Sequence, residues 1–110
     1  MKETLLIKHA VGGRTFLDSH KQACEYRVEE TKTGWKVQVK KTFDANIAEI
    51  LKWKDELNLF LFQEEPGKPI LKIWFYVHSG PVTYDHEAGE LTVVADSRIA
   101  YIPDSFGSSV

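Results

Sequence analysis

Two stretches that alternate with period two, residues 24–30 and 35–41, flank the segment Thr31-Lys32-Thr33-Gly34. Such alternation sends successive side chains to opposite faces of a strand. A four-residue connection ending in glycine suits a hairpin built on a type I turn, with Gly34 expected in the left-handed conformation. Pairing Glu30 with Trp35 sets Val28 against Val37 and Tyr26 against Val39 on one face. The same register sets Glu29 against Lys36, Arg27 against Gln38 and Glu25 against Lys40 on the other. A slip of one residue would exchange the faces, so a register that sorts apolar with apolar and Glu with Lys leaves few alternatives. The chain is therefore expected to rest on an antiparallel sheet with a dry face and a charged face turned to water.

The segments 82–85 and 90–95 repeat the form around His86-Glu87-Ala88-Gly89, pairing Asp85 with Glu90, Thr83 with Thr92, Tyr84 with Leu91 and Val82 with Val93. Residues 4–9, 14–17 and 98–102 are further strand candidates, 59–62 is a short apolar run, and the polar stretch 18–22 fits a loop or one helical turn. Pro66-Gly67 fits the centre of a type II turn. The run 70–77 that follows is apolar at seven of eight positions, which predicts a central strand covered on both faces. One helix is expected, over residues 44–58. Asp44 is its N-cap, Phe43 precedes it as a staple, and Asn58 closes it. Ile47, Ile50, Leu51 and Leu57 form its apolar stripe, with Trp53 on the margin.

Strands, one helix, then more strands predict an α+β fold: a mainly antiparallel, curled sheet of about six to eight strands built from hairpins, with the helix on one face. A parallel doubly wound sheet would need several crossover helices. Residues 1–110 carry no repeat or linker and are expected to form a single domain, with a frayed tail over 104–110.

Six Phe, four Tyr and three Trp in 110 residues supply enough apolar area to exclude disorder as a description of the whole. The net charge of −2, from 14 basic and 16 acidic residues, lacks the basic excess of a non-specific nucleic-acid binder. No run approaches the ~20 apolar residues of a membrane span. Cys24 is the single cysteine, which excludes an internal disulfide and a cysteine metal cluster. With too short an apolar run for a secretory signal at the N-terminus, the expected compartment is the cytoplasm. Sharing a face with Tyr26 and Val28, Cys24 reads as packing rather than as a nucleophile.

His9, His20, His78 and His86 have no ligand spacing, and there is no nucleophile elbow, phosphate loop or dinucleotide fingerprint. Neither a catalytic residue, a metal nor a cofactor is therefore assigned. In the run 70–77 the set Ile70, Lys72, Trp74, Tyr76 and His78 shares one face, and Leu71, Ile73, Phe75 and Val77 the other. The first set grows aromatic and polar toward Ser79-Gly80, where the backbone leaves the sheet. Trp74, Tyr76 and His78 are thus the candidate partner- or ligand-binding residues, since aromatic groups with a polar handle anchor interfaces.

The expected function is a small cytoplasmic protein-binding domain of inhibitor, immunity or regulatory adaptor type, its partner another protein. A homo-oligomer through an exposed strand edge is an additional expectation. The rival is a small-ligand or enzyme domain using the sheet end near Tyr76, His78 and Tyr84. A second rival is a single-stranded nucleic-acid binder, with Lys36, Lys40, Lys41, Lys52 and Lys54 beside Trp35 or Trp53. Interleaved acids weigh against the last. A deep pocket would favour the ligand reading, and a flat aromatic patch the protein reading.

Overall fold

Wherever the sequence alternates, the chain is strand. The structure, a computed structural model, describes residues 2–22, 24–77 and 81–102. Nine strands among these residues form two antiparallel sheets. The strands are β1 (Lys2–His9), β2 (Thr15–Asp18), β3 (Glu25–Glu30), β4 (Trp35–Lys40), β5 (Leu57–Glu64), β6 (Leu71–Tyr76), β7 (Val82–Asp85), β8 (Glu90–Ala95) and β9 (Ser97–Tyr101). The larger sheet has the order β2-β1-β5-β6-β9 and the smaller β3-β4-β8-β7. Two short helices, α1 (Ser19–Gln22) and α2 (Ala45–Lys52), complete the described elements.

Both hairpin registers hold at every predicted pair, from Glu30 with Trp35 to Glu25 with Lys40, and from Asp85 with Glu90 to Val82 with Val93. Val37 and Val39 are fully buried, while Lys36 reaches Glu29 at 3.7 Å on the outer side. Beside that pair, Arg27 donates to Gln38 at 2.6 Å and Gln38 to Glu90 at 2.9 Å. The charged outer face of the smaller sheet is thus cross-strand pairing. Gly67, with φ +77°, and the Lys68 amide donating to the Glu65 carbonyl at 3.1 Å form the expected turn before β6.

The single curled sheet is corrected to two sheets sharing one core. Leu5, Ile7, Leu59, Leu61, Ile73 and Phe75 enter it from the larger sheet, and Val37, Val39, Leu91 and Val93 from the smaller. Trp35 meets Phe75 edge-on between the sheets, with ring centroids 6.1 Å apart. The chain passes from β8 to β9 across Asp96 alone, so consecutive strands belong to different sheets.

Gly34 is also corrected. It does not have a positive φ. A Cβ built there would lie 2.1 Å from the Ala95 carbonyl oxygen, so glycine is needed for close backbone approach instead.

The helix is shorter than expected and lies elsewhere. Its backbone turns out of the helix at Trp53, whose amide donates to the Glu49 carbonyl at 3.0 Å. Leu57 and Asn58 belong to β5, where Leu57, Leu59 and Leu61 point inward with period two. Four apolar residues at helical spacing concealed that change of period. Ile47 and Ile50 are buried and Leu51 half-buried. The helix packs against β2 and β7, outer strands of the two sheets, and so closes one side of the core rather than covering a face. The frayed tail predicted over 104–110 lies outside the described residues.

Asp44 caps α2 as predicted, accepting from the Ile47 amide at 2.9 Å and pairing with Lys41 at 2.7 Å. Phe43 is exposed, and its ring neighbours are Tyr84 and His86, with centroids 5.4 and 5.0 Å away. Partial burial pushes the Asp44 carboxyl up, but hydrogen bonds from Lys41 and the Ile47 amide, with the nearby ammonium charge, outweigh it. The carboxyl is held below its usual range. A depressed folded pKa stabilises the fold above the carboxyl's unfolded pKa, and that contribution is lost as pH falls through the folded value. Asp44→Ala should therefore cost about 0.5–2 kcal/mol at neutral pH, and the difference from wild type in urea titrations should shrink on acidification. A difference constant down to the acid limit would overturn the cap's role.

Candidate functional site

In β6 the inward set is Ile73 and Phe75, followed by Val77, all buried. Among the described residues no helix or sheet packs on the other face of β6, so the expected second cover is not found there. Registers β1–β5, β5–β6 and β6–β9 place Leu6, Phe60, Trp74 and Ile99 in one cross-strand row. Thr4, Phe62, Lys72 and Tyr101 form the next row. Tyr76 lies beyond, opposite Asn58 and Ser97. Tyr76 is 46% exposed and Ile99 56%. Leu6, Phe60, Phe62, Lys72, Trp74 and Tyr101 are half-buried.

Contacts within this face fix the side chains. Trp74 stacks on Phe60 at 6.3 Å, and Tyr76 meets Trp74 edge-on at 6.0 Å. The Trp74 indole N–H donates to the Asn58 side-chain oxygen at 3.1 Å, which satisfies its polar edge and orients the ring. Lys72 Nζ lies 4.4 Å from the Phe60 ring centroid, 5.5 Å from that of Phe62 and 5.7 Å from that of Tyr101. An ammonium held among three π faces is a fixed positive charge in an otherwise apolar surface.

Of the three predicted site residues, Trp74 and Tyr76 are brought together here, and His78 lies outside the described residues. Tyr84 is not brought to them. It packs against the core from the smaller sheet, its hydroxyl donates to the Lys41 carbonyl, and its ring neighbours are Phe43 and His86. Sequence reasoning missed Phe60, Phe62, Ile99 and Tyr101. Phe60 and Phe62 were legible in principle, because 57–62 alternates Leu with Asn or Phe. Assigning Leu57 to the helix hid the phase.

The lysines named for a nucleic-acid patch do not gather around a tryptophan. Lys36 is with Glu29 and Lys41 with Asp44, while Trp35 lies under Arg98, whose guanidinium carbon is 3.9 Å from its ring centroid. The Trp53 ring meets that of His9 at a tilt, with centroids 4.9 Å apart, and His9 in turn meets Glu56 at 3.2 Å. Lys52 alone of that set lies over a tryptophan, 5.2 Å from the Trp53 centroid.

Several recesses among the described residues lie elsewhere. One of about 220 Å³ is bordered by Asp18, Lys21, Gln22 and Asn46, and one of about 210 Å³ by Glu25, Arg27, Lys40 and Glu90. Both fall short of the roughly 300–1,000 Å³ of small-molecule sites. A wider depression of about 520 Å³, between Lys2 and residues 64–66, is open and lined by Glu64, Glu65 and Pro66. Among the described residues no three His, Cys, Asp or Glu side chains are placed to hold a metal. Cys24 is half-buried against the core, and burial pushes its thiol up, away from the reactive thiolate. No helix among the described residues is long and apolar enough to cross a membrane. Compared with known proteins, the chain matches no family model, no curated protein and no solved structure.

Proposed function

We propose that the chain is a small protein-binding domain of inhibitor, immunity or regulatory adaptor type, and that it binds through the outer face of its larger sheet. The reading is carried by one observation: Phe60, Trp74 and Tyr76 form a continuous aromatic surface on that face, with Lys72 held at its edge. Rigid aromatic groups bury much area at small entropic cost, which is why they dominate binding hot spots. Among the described residues they are spread over the face of a sheet, which suits a protein partner more than a small molecule. The Lys72 ammonium adds orientation, favouring a partner that brings a carboxylate beside its own apolar contact.

The test is capture from the native cell extract with wild-type protein and with Tyr76→Ala, followed by calorimetry on the captured protein after purification. Tyr76→Ala should weaken binding by about tenfold or more, ~1.4 kcal/mol, while leaving the thermal midpoint within a few degrees. Equal binding by both would overturn the proposal. Titration with single-stranded homopolymer oligonucleotides, followed by tryptophan fluorescence, should leave the emission unchanged. Saturable quenching that Tyr76→Ala abolishes would replace the protein partner with a nucleic acid.

A further inference from the structure

The two sheets have four outer strands, and three of them are defended against pairing. β2 and β7 are four residues long and α2 packs on both. β3 carries Glu25, Arg27, Glu29 and Glu30, so a strand laid beside it meets charge at most positions. Short length, covering elements and charge are the ordinary means of blocking an edge.

β9 is one residue longer than β2 and β7, carries one charge, and has no covering helix among the described residues. It pairs with β6 on one side and has no neighbouring strand among the described residues on the other. Ser97, Arg98, Ile99 and Ala100 are all exposed. Its outer side therefore offers a row of backbone donors and acceptors with a single charged side chain among them.

We infer that β9 pairs with β9 of a second copy of this chain, antiparallel about a two-fold axis at Ile99. The sequence of the strand is complementary to its own reverse. In that register Ser97 faces Tyr101 of the second copy, Arg98 faces Ala100, and Ile99 faces Ile99. Small residues meet large ones at each off-axis pair, and the apolar residue meets itself on the axis. The charge is placed with equal economy. Centring the axis on Arg98 would set two guanidinium groups side by side, a pairing that costs stability, whereas centring it on Ile99 sets each against a methyl group. Arg98 also stays where it is held, over the Trp35 ring. Ile99 and Tyr101 lie on the same side as Trp74 and Lys72, so the pairing continues the outer aromatic face across both copies. A ladder of five residues per strand buries less than the ~1,200–2,000 Å² of stable interfaces, so the dimer is concentration-dependent.

Sedimentation velocity from low micromolar to near-millimolar protein tests this, with two variants at exposed positions whose folding is checked by thermal midpoint. Wild type should move from monomer to dimer across the range. Ile99→Lys places two ammonium groups on the axis and should leave only monomer. Ala100→Glu places a carboxylate opposite Arg98 twice per dimer and should tighten association about threefold or more. Tightening by Ala100→Glu is specific to self-pairing in this register, since no other occupant of the edge brings Arg98. Monomer at every wild-type concentration would overturn the inference. So would a dimer indifferent to Ile99→Lys, or one that Ala100→Glu fails to tighten. Tyr76→Ala should leave the dimer unchanged, which separates this result from the partner-binding test.

Discussion

Phe75→Ala is expected to lower the free energy of unfolding by about 3–5 kcal/mol, a large part of the ~5–15 kcal/mol that holds a domain of this kind together. Phe75 is fully buried in β6, flanked by Leu59 of β5 and Arg98 of β9. From the other sheet it receives the edge of Trp35. Truncation removes a ring that both sheets touch, and the sheets are each held by their own ladders, so the space cannot be fully closed by collapse. Tyr76 is the next residue along the same strand, a ring of similar size that faces outward. Its replacement by Ala should cost less than about 1 kcal/mol, as exposed positions usually do. The pair of denaturant titrations thus tests the phase of β6 directly. Equal losses for the two variants would mean that both faces of the strand are packed, and the outer-face reading would end with that result.

Phase is also what decided how much of this molecule was legible from its residues. The two hairpins were readable because every pair carried information: a one-residue slip of 25–30 against 35–40 would have set Val28 beside a lysine or a glutamine. The turn at Pro66-Gly67 and the Asp44 cap were readable because each depends on a few adjacent residues. The strand β5 was not, since Leu57 continues the 3.6-residue stripe of Ile47, Ile50 and Leu51 as well as it begins the period-two stripe of Leu59 and Leu61. Division into two sheets was beyond local reading altogether. Nothing in Ala95-Asp96-Ser97 signals that the chain changes sheets there, because the change depends on which distant strands pair.

The candidate site followed the same rule. Trp74 and Tyr76 were placed on one face by alternation alone, and the structure keeps them there. A run apolar at seven of eight positions nevertheless predicted cover on both faces. Among the described residues the aromatic groups on the outer side pack on one another and on Lys72, and no further layer meets them. A sequence records that a side chain is apolar, and both outcomes satisfy that. Phe60, Ile99 and Tyr101 join the site only through the pairing of β6 with β5 and β9.

Gly34→Ala is the second large effect, and its cause is backbone proximity rather than an unusual dihedral. The Thr31 amide donates to the Gly34 carbonyl at 2.8 Å, closing the β3–β4 connection. The next residue, Trp35, pairs with Ala95 at the last position before the chain leaves the smaller sheet. A methyl group at Gly34 would meet the Ala95 carbonyl oxygen at 2.1 Å and the Asp96 carbonyl oxygen at 3.2 Å. Neither atom is the end of a flexible side chain, so the hairpin must tilt or the corner must move. Overpacking of this kind costs about 1–3 kcal/mol and sometimes more, and the upper end is expected because both obstacles are backbone. Gly67 is the control. Its φ of +77° makes Ala strained there, yet nothing lies within 4 Å of the added methyl, so only the ~1–2 kcal/mol of a left-handed L-residue applies. The two substitutions should also differ in where the damage falls. Displacing the 95–96 corner moves the start of β9, so native-state hydrogen exchange in Gly34→Ala should quicken at Ser97 to Tyr101 before the rest of the larger sheet. In Gly67→Ala the β9 amides should keep wild-type protection relative to their neighbours. If Gly34→Ala left both stability and β9 exchange unchanged, the corner would have slack enough for a methyl, and tight joining of the two sheets at that point would be refuted.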